Sequence, residues 1–280
     1  MELAPLAILS PATHEAIIAH YERVGPLLEA SFGGVPVVAT FFPHWPDPSE
    51  TFEAGLQTIP STLNGVPVRN AHGTLENYLA LSTNALLWQV HRGAIEFSSW
   101  TPLASDPESA AFARLIVRPT DPAKPEIVKF AVLALRSLLA TKGLAGALVA
   151  DGYGGFTVFV PLGDAPLYAP LRESLHCLTD AAAREHPDLI TTEPANNRPI
   201  GPARVSVSTN ARGHFSVLPY SVRGNASLSV ATPLRWSELG GFESGKFTVH
   251  EFADRLTTVG DVFASETAML QTQHSDSLFA

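Results

Sequence analysis

The stretch Ala147–Leu162 reads Ala-Leu-Val-Ala-Asp-Gly-Tyr-Gly-Gly-Phe-Thr-Val-Phe-Val-Pro-Leu. Two apolar runs around a glycine-rich break fit a pair of antiparallel strands joined by a turn. Ala147–Ala150 is the outgoing strand, Asp151–Gly155 the turn and Phe156–Leu162 the returning strand. Side chains alternate along a strand, so Phe156, Val158 and Val160 share one face and Thr157 and Phe159 the other. The turn is glycine-rich, yet it joins two strands and opens no helix. That makes it a poor phosphate cradle of the dinucleotide-binding kind.

Outward from this hairpin the pattern stays mixed. Arg114–Arg118 reads as a short buried strand. Asp121-Pro122 is expected to open a long helix with Ile127, Ala131, Leu135 and Leu138 on one face, ended by Gly143. Pro166–Glu185 reads as a second long helix. Arg204–Ser208 and Phe215–Leu218 read as a hairpin around Asn210–Gly213. Toward the N-terminus, Thr13–Ala30 is an amphipathic helix with Thr13 as its expected cap, followed by a strand over Val35–Phe42. Residues 43–70 read as loops with short strands. Leu75–Leu81 is a strand or short helix, Asn84–Arg92 a helix, Ala94–Phe97 a strand and Val249–Leu256 a late helix. Strands interleaved with helices and hairpins predict an α/β (α+β) fold, with mixed and antiparallel sheets flanked by helices. The expected organisation is one domain over 1–265, two lobes sharing one core, and a mobile tail over 266–280.

The chain has 280 residues, 45% of them hydrophobic and 16% charged, enough for a sizeable core. Cys177 is the only cysteine, which excludes an internal disulfide and a thiolate-rich metal site. Residues 1–20 lack the pattern of a secretory signal. The longest apolar candidate, Ile127 to Leu139, is interrupted by Lys129 and Arg136 and is too short to span a bilayer. A cytoplasmic location, nucleoid-associated if DNA is the ligand, is the expectation. The net charge of −9 argues against indiscriminate nucleic-acid binding. It conceals an asymmetry, because Arg198, Arg204, Arg212, Arg223 and Arg235 fall in a segment with no Asp or Glu. These five read either as solvated loop arginines or as an anion-facing patch. His44, His72 and His214 are isolated, without metal-ligand spacing.

Several strings in order resemble one family. They are Asn70-Ala-His-Gly-Thr-Leu-Glu76, Leu86-Leu-Trp88, Gly93-Ala-Ile-Glu-Phe97, Phe156–Leu162, His186–Glu193, Asn210-Ala-Arg-Gly213, Pro219-Tyr-Ser-Val-Arg223 and Ala231–Leu239. Together they resemble the polymerase domain of bacterial end-joining DNA ligases, in the archaeo-eukaryotic primase superfamily, over roughly Ala19 to Leu256. The resemblance implies a primase-polymerase fold and template-dependent nucleotidyl transfer with two divalent ions. Such ions need hard oxygen ligands, usually carboxylates. The family supplies an Asp-x-Asp after one strand and a third Asp after another.

This chain departs from that pattern at each ligand. The Asp-x-Asp positions hold Arg118-Pro119-Thr120, and the third Asp is Ser208, in a segment two residues shorter. In the glycine-rich turn the family's basic residue is Gly154 and its His is Thr157. The strand end Ile-Glu-Leu-His becomes Ile95-Glu-Phe-Ser98, and an early Lys is lost around Glu53-Ala54. A bulge that moves Asp121 into the second ligand position, with Asp151 opposite, would rebuild a smaller site. Otherwise Asp121 is a helix N-cap and Asp151 a turn residue. Arg223 and Arg212 match positions that the resemblance implies meet phosphate. Arg223 equally fits an ion pair with a core carboxylate such as Glu96.

Three functions compete on these residues. The first is a primase-polymerase-like domain without catalysis that keeps a binding role toward DNA ends, nucleotides or a protein partner in DNA repair. The second is an active nucleotidyltransferase with a metal site rebuilt on Asp121 and Asp151. The third is a nucleotide or nucleic-acid binding module using Arg212 and Arg223. No cofactor is expected in the first or third, Mg²⁺ or Mn²⁺ enters only in the second, and no membrane partner is expected.

Overall fold

The computed structural model describes residues 9–47, 51–53, 59–69, 74–121, 124–192 and 201–279. Asn70–Gly73, Ala54, Glu193 and Arg198, all named above, lie outside them, as do the side chains of residues 52, 53, 69 and 279. In chain order the elements are α1 (Pro11–Phe32), β1 (Pro36–Phe41), β2 (Phe52–Glu53), β3 (Gly65–Arg69), β4 (Leu75–Ala80), α2 (Thr83–Val90), β5 (Ala94–Ser99), β6 (Pro102–Leu103), β7 (Asp106–Ala110) and β8 (Phe112–Arg118). They continue with α3 (Glu126–Thr141), β9 (Ala147–Ala150), β10 (Phe156–Pro161), α4 (Tyr168–Glu185), β11 (Ile190–Thr191), β12 (Ala203–Ser206), β13 (Ser216–Val217), β14 (Thr232–Leu234), α5 (Phe252–Val259), α6 (Val262–Thr267) and α7 (Asp276–Phe279). This is the mixed α/β architecture that the patterns predict.

The chain divides into two compact units. The first comprises residues 1–107, 215–232 and 245–261. Its sheet runs β13-β5-β1-β4-β3, with β2 on β1. β1 is buried along its whole length, and α1 buries Ile17, His20, Tyr21, Val24, Leu28 and Phe32 on one stripe. Ser10, not Thr13, caps α1, and its hydroxyl accepts a hydrogen bond from the Thr13 amide. Tyr21 ties the helix to the sheet. Its hydroxyl donates to the Ile95 carbonyl at 2.7 Å and accepts from the Val222 amide at 2.9 Å.

The second unit comprises residues 108–214, 233–244 and 262–280. Its sheet runs β11-β12-β8-β10-β9-β14, with β12, β8, β10 and β9 mutually antiparallel and β11 parallel to β12. β9 and β10 form the expected hairpin, with Phe156 opposite Ala150 and Phe159 opposite Ala147. Near the C-terminus, Asp164 accepts hydrogen bonds from the amide and hydroxyl of Ser275.

Two expectations need correction. First, α3 starts at Glu126, so Asp121 is not its N-cap. Prolines at 122 and 125 disfavour helical backbone in the residues just before them, which delays the start. The buried stripe is Val128, Ala131, Val132, Leu135 and Leu139, rotated from the expected face. Second, Arg204–Ser208 and Phe215–Leu218 do not pair. β12 joins β8, and β13 joins β5. The intervening segment satisfies its backbone through side chains instead. Asn210 Nδ2 donates to the carbonyls of Arg114 and Val207, and its Oδ1 accepts from the Arg114 amide at 2.8 Å. The Arg114 guanidinium, fully buried, donates to the carbonyls of Thr209 and His214. Burial lowers its pKa to about 10, which still leaves it charged at neutral pH.

Candidate functional site

The substituted ligand positions lie in the second unit, on its central strands. The register sets Thr157 opposite Ile116 and Ile116 opposite Ser206. One step along, Arg118 stands opposite Arg204. Directly opposed residues in an antiparallel pair point to the same face. Arg118, Ile116, Thr157, Arg204 and Ser206 therefore share one face of the sheet. Ser208 joins them, since its hydroxyl lies 2.9 Å from that of Ser206. Strand alternation thus gathers three sequence-identified positions, Arg118, Thr157 and Ser208, as expected of one site. Thr157 is buried and Ser208 exposed.

Thr120 takes a different course. It is buried, its hydroxyl donates to the Pro202 carbonyl at 2.6 Å, and it accepts from the Gly201 amide at 3.0 Å. Both capacities of the hydroxyl are spent on the segment entering β12. Where the resemblance implies a second metal ligand, this chain has a clamp.

Asp151 sits at the end of β9, with only 2% of its side chain exposed. Its Oδ1 accepts from the amides of Tyr153 and Gly155 at 2.8 and 2.9 Å, the arrangement of an Asx turn. Its Oδ2 lies 3.5 Å from Arg118 Nε. The Arg118 side chain is 58% exposed, so the pair joins a buried carboxylate to a largely exposed arginine. Gly155 permits this. A Cβ there would fall 2.5 Å from Asp151 Oδ2 and 2.7 Å from the Val117 carbonyl. Asp121 is half-buried, and its carbonyl accepts from the Lys124 amide. Among the described residues no three His, Cys, Asp or Glu side chains gather to hold a metal ion.

The other two sequence-identified arginines are held by carboxylates. Arg212 pairs with Glu108 at the surface of the second unit. Arg223, in the first unit, lies 3.0 Å through Nε from Glu96 Oε2, with both side chains about one-tenth exposed. The Gly224 amide donates to the same Glu96 oxygen at 3.1 Å. The ion-pair alternative for Arg223 is therefore present. Arg204 is one of the five arginines of the acid-free segment, and Ser206 is not singled out by the sequence. The alternation Arg204, Ser206, Ser208 along one strand was the signal that could have found them.

A cavity of about 330 Å³ is lined by Glu126, Lys129, Gly154, Phe156, Phe242 and Ser244. Gly155, which abuts Asp151 and the Arg118 stem, lines the same cavity. No helix among the described residues is long and apolar enough to cross a membrane.

The model of the LigD primase-polymerase domain matches residues 13–263. The multifunctional non-homologous end joining DNA repair protein LigD of Mycobacterium tuberculosis is 26% identical over 270 residues, covering 91% of this chain and 35% of that protein. The bifunctional non-homologous end joining protein LigD of Bacillus subtilis is 25% identical over 195 residues, covering 68% of this chain and 31% of that protein. The chain thus spans about a third of the length of the curated relatives it matches. Among solved structures, the polymerase domain from Mycobacterium tuberculosis Ligase D in complex with DNA superposes with a TM-score of 0.84 at 21% identity, covering 96% of this chain and 98% of that one. That likeness establishes the fold.

Proposed function

The chain belongs to the LigD primase-polymerase domain family, and on that premise we propose that it is a member without nucleotidyl-transfer activity that has kept a binding role toward DNA ends or nucleotides. The observation that carries this reading is the Arg118–Asp151 ion pair. The family chemistry requires a pair of divalent cations, and such cations require anionic oxygen ligands. The residues present do not fit that requirement. Arg118 brings a positive charge to the first ligand position, Thr120 is committed to Gly201 and Pro202, and Ser208 offers a neutral hydroxyl. Asp151 keeps a carboxylate, but one oxygen serves two amides and the other faces a guanidinium. A cation placed there would displace Arg118 and gain a single carboxylate oxygen in exchange.

The binding half of the proposal draws on the structural neighbour, which is a polymerase domain in complex with DNA. It draws as well on the relatives, which are named as non-homologous end joining proteins. A place in DNA repair, with a protein partner from that process, follows as part of the same proposal.

Primer extension on a templated primer, with Mg²⁺ or Mn²⁺ at millimolar concentration, tests the catalytic half. The expected result is no nucleotide addition above background. Addition that disappears in Asp121→Asn or Asp151→Asn would overturn the reading in favour of a rebuilt site on those two carboxylates.

A further inference from the structure

In the first unit, where α1 packs against the start of α5, we infer a binding site for a small aromatic hydroxy acid, with the ligand hydroxyl on His20 Nδ1 and its acid group on Arg23. The site involves none of the substituted ligand positions of the second unit, and it does not depend on the proposed loss of catalysis.

Three features carry it. The first is a cavity of about 170 Å³. Ala16 and Ala19 of α1 line it together with Val249 and Ala253, and their short side chains leave the space open. It is close in size to the ~150 Å³ of an apolar cavity that takes benzene. Phe252 also lines it and meets the His20 ring edge to face, with centroids 5.4 Å apart. An aromatic ligand extends that contact by one more ring.

The second feature is a buried acceptor. His20 is only 5% exposed, and its Nε2 donates to the Tyr220 carbonyl at 2.8 Å, which fixes the proton there. Burial lowers its pKa to about 4, more than that carbonyl raises it, so at neutral pH the ring is uncharged and Nδ1 keeps its lone pair. Among the described residues no group donates to Nδ1, yet it is not one of the buried atoms sealed off without a partner. It therefore opens on the cavity that His20 lines. A ligand hydroxyl supplies the missing donor.

The third feature is charge at the mouth. Arg23 is three residues from His20, on the same face of α1. It lines the cavity, is exposed, and meets no carboxylate among the described residues. Its charge reaches His20, whose pKa it helps to lower. His250 lines the cavity from the α5 side and is exposed as well, while no Asp or Glu is among the described lining residues. Apolar walls, an acceptor at the base and a cation at the mouth specify a ring with a hydroxyl and an anionic group. The larger cavity beside Phe156 makes no such demand, because Lys129 there already donates to the Gly240 carbonyl and Glu126 and Glu243 stand beside it.

The test is calorimetric titration of the full chain at pH 7 with three probes: 4-hydroxybenzoate, benzoate and 4-methylphenol. 4-Hydroxybenzoate should bind at millimolar concentration or below. Benzoate lacks the hydroxyl and 4-methylphenol the charge, so each should bind more weakly by about tenfold or more. Arg23→Gln alters an exposed side chain, so folding is spared. It should weaken 4-hydroxybenzoate by about tenfold and leave 4-methylphenol unchanged. Ala19→Leu, also at an exposed position, fills the mouth and should abolish binding of all three probes. In protein with nitrogen-15 histidine, the His20 Nδ1 resonance should move upfield with 4-hydroxybenzoate and stay in place with benzoate. A histidine that serves packing alone gives no such difference. Absence of 4-hydroxybenzoate binding at millimolar concentration, equal binding of benzoate, or unchanged affinity in Arg23→Gln overturns the inference. None of these results bears on the loss of catalysis, which primer extension alone decides.

Discussion

Two arginine–carboxylate pairs, one in each unit, show how differently the same chemistry is used. Arg223 and Glu96 are both nearly buried, and the Glu96 oxygen also receives the Gly224 amide. Arg118 is mostly exposed while Asp151 is almost wholly buried. In the first pair each charge depends on the other. In the second the carboxylate depends on its turn amides as much as on the arginine. A glycine guards each pair. A Cβ on Gly224 would fall 2.1 Å from the Phe42 ring, and one on Gly155 would fall 2.5 Å from Asp151 Oδ2. The first arrangement belongs to the core of a lobe, and the second presents a cation at a surface.

The sharpest way to break that comparison is to neutralise one partner in each. Glu96→Gln should destabilise the protein most, by about 3–5 kcal/mol, since it removes the counter-charge of a buried guanidinium. Urea unfolding at pH 7 measures it, and a loss under 1 kcal/mol, on the order of an exposed pair, would erase the distinction. The unit holding the buried pair also buries His20, whose Nε2 bonds the Tyr220 carbonyl at 2.8 Å. Its pKa is lowered from 6.5 to about 4, first by burial and then by the nearby Arg23 charge, against the raising effect of that carbonyl. The native state therefore refuses a proton that the unfolded chain accepts between these values. Stability should fall as the pH drops from 6.5 to 4, by about 3 kcal/mol in total, and His20→Gln should flatten that slope.

Asp151→Ala comes next, at about 2 kcal/mol, because it strips two amides of their acceptor in the β9–β10 turn. Thermal unfolding monitors it. Arg118→Ala should be the mildest, at about 1 kcal/mol or less, because its guanidinium is largely solvated and its partner keeps two hydrogen bonds. If Arg118→Ala proves as damaging as Glu96→Gln, the two pairs are alike and the surface role of Arg118 falls with the difference.

The β9–β10 hairpin was legible because its signal is local: alternation, a glycine break, alternation again. The departure from the family's carboxylates was read at Arg118, Thr120 and Ser208 by placing these residues between the short strings whose order carries the resemblance. The Arg223–Glu96 pair was one of two readings, and only packing could choose it. What sequence could not reveal was long-range and made by single side chains. Asn210 and Arg114 are 96 residues apart in the chain, yet the Asn210 side chain binds the Arg114 backbone and the Arg114 guanidinium binds the Thr209 and His214 carbonyls, which dissolves the hairpin expected around Asn210. The helix expected from Asp121 failed for a local reason, since two prolines outweighed a favourable capping residue.

The Thr120 clamp carries a historical consequence. Its hydroxyl holds both Gly201 and Pro202, so an aspartate restored there would lose the donor that the Pro202 carbonyl relies on. Replacing Arg118 alone would leave Asp151 without its counter-charge, and replacing Ser208 alone would add an acid beside two arginines. Each first step back toward a metal site is penalised before any ion can reward it. On the proposed reading the clamp works as a ratchet: the lineage can drift further within its present chemistry, but the road back to a two-metal site requires several changes at once.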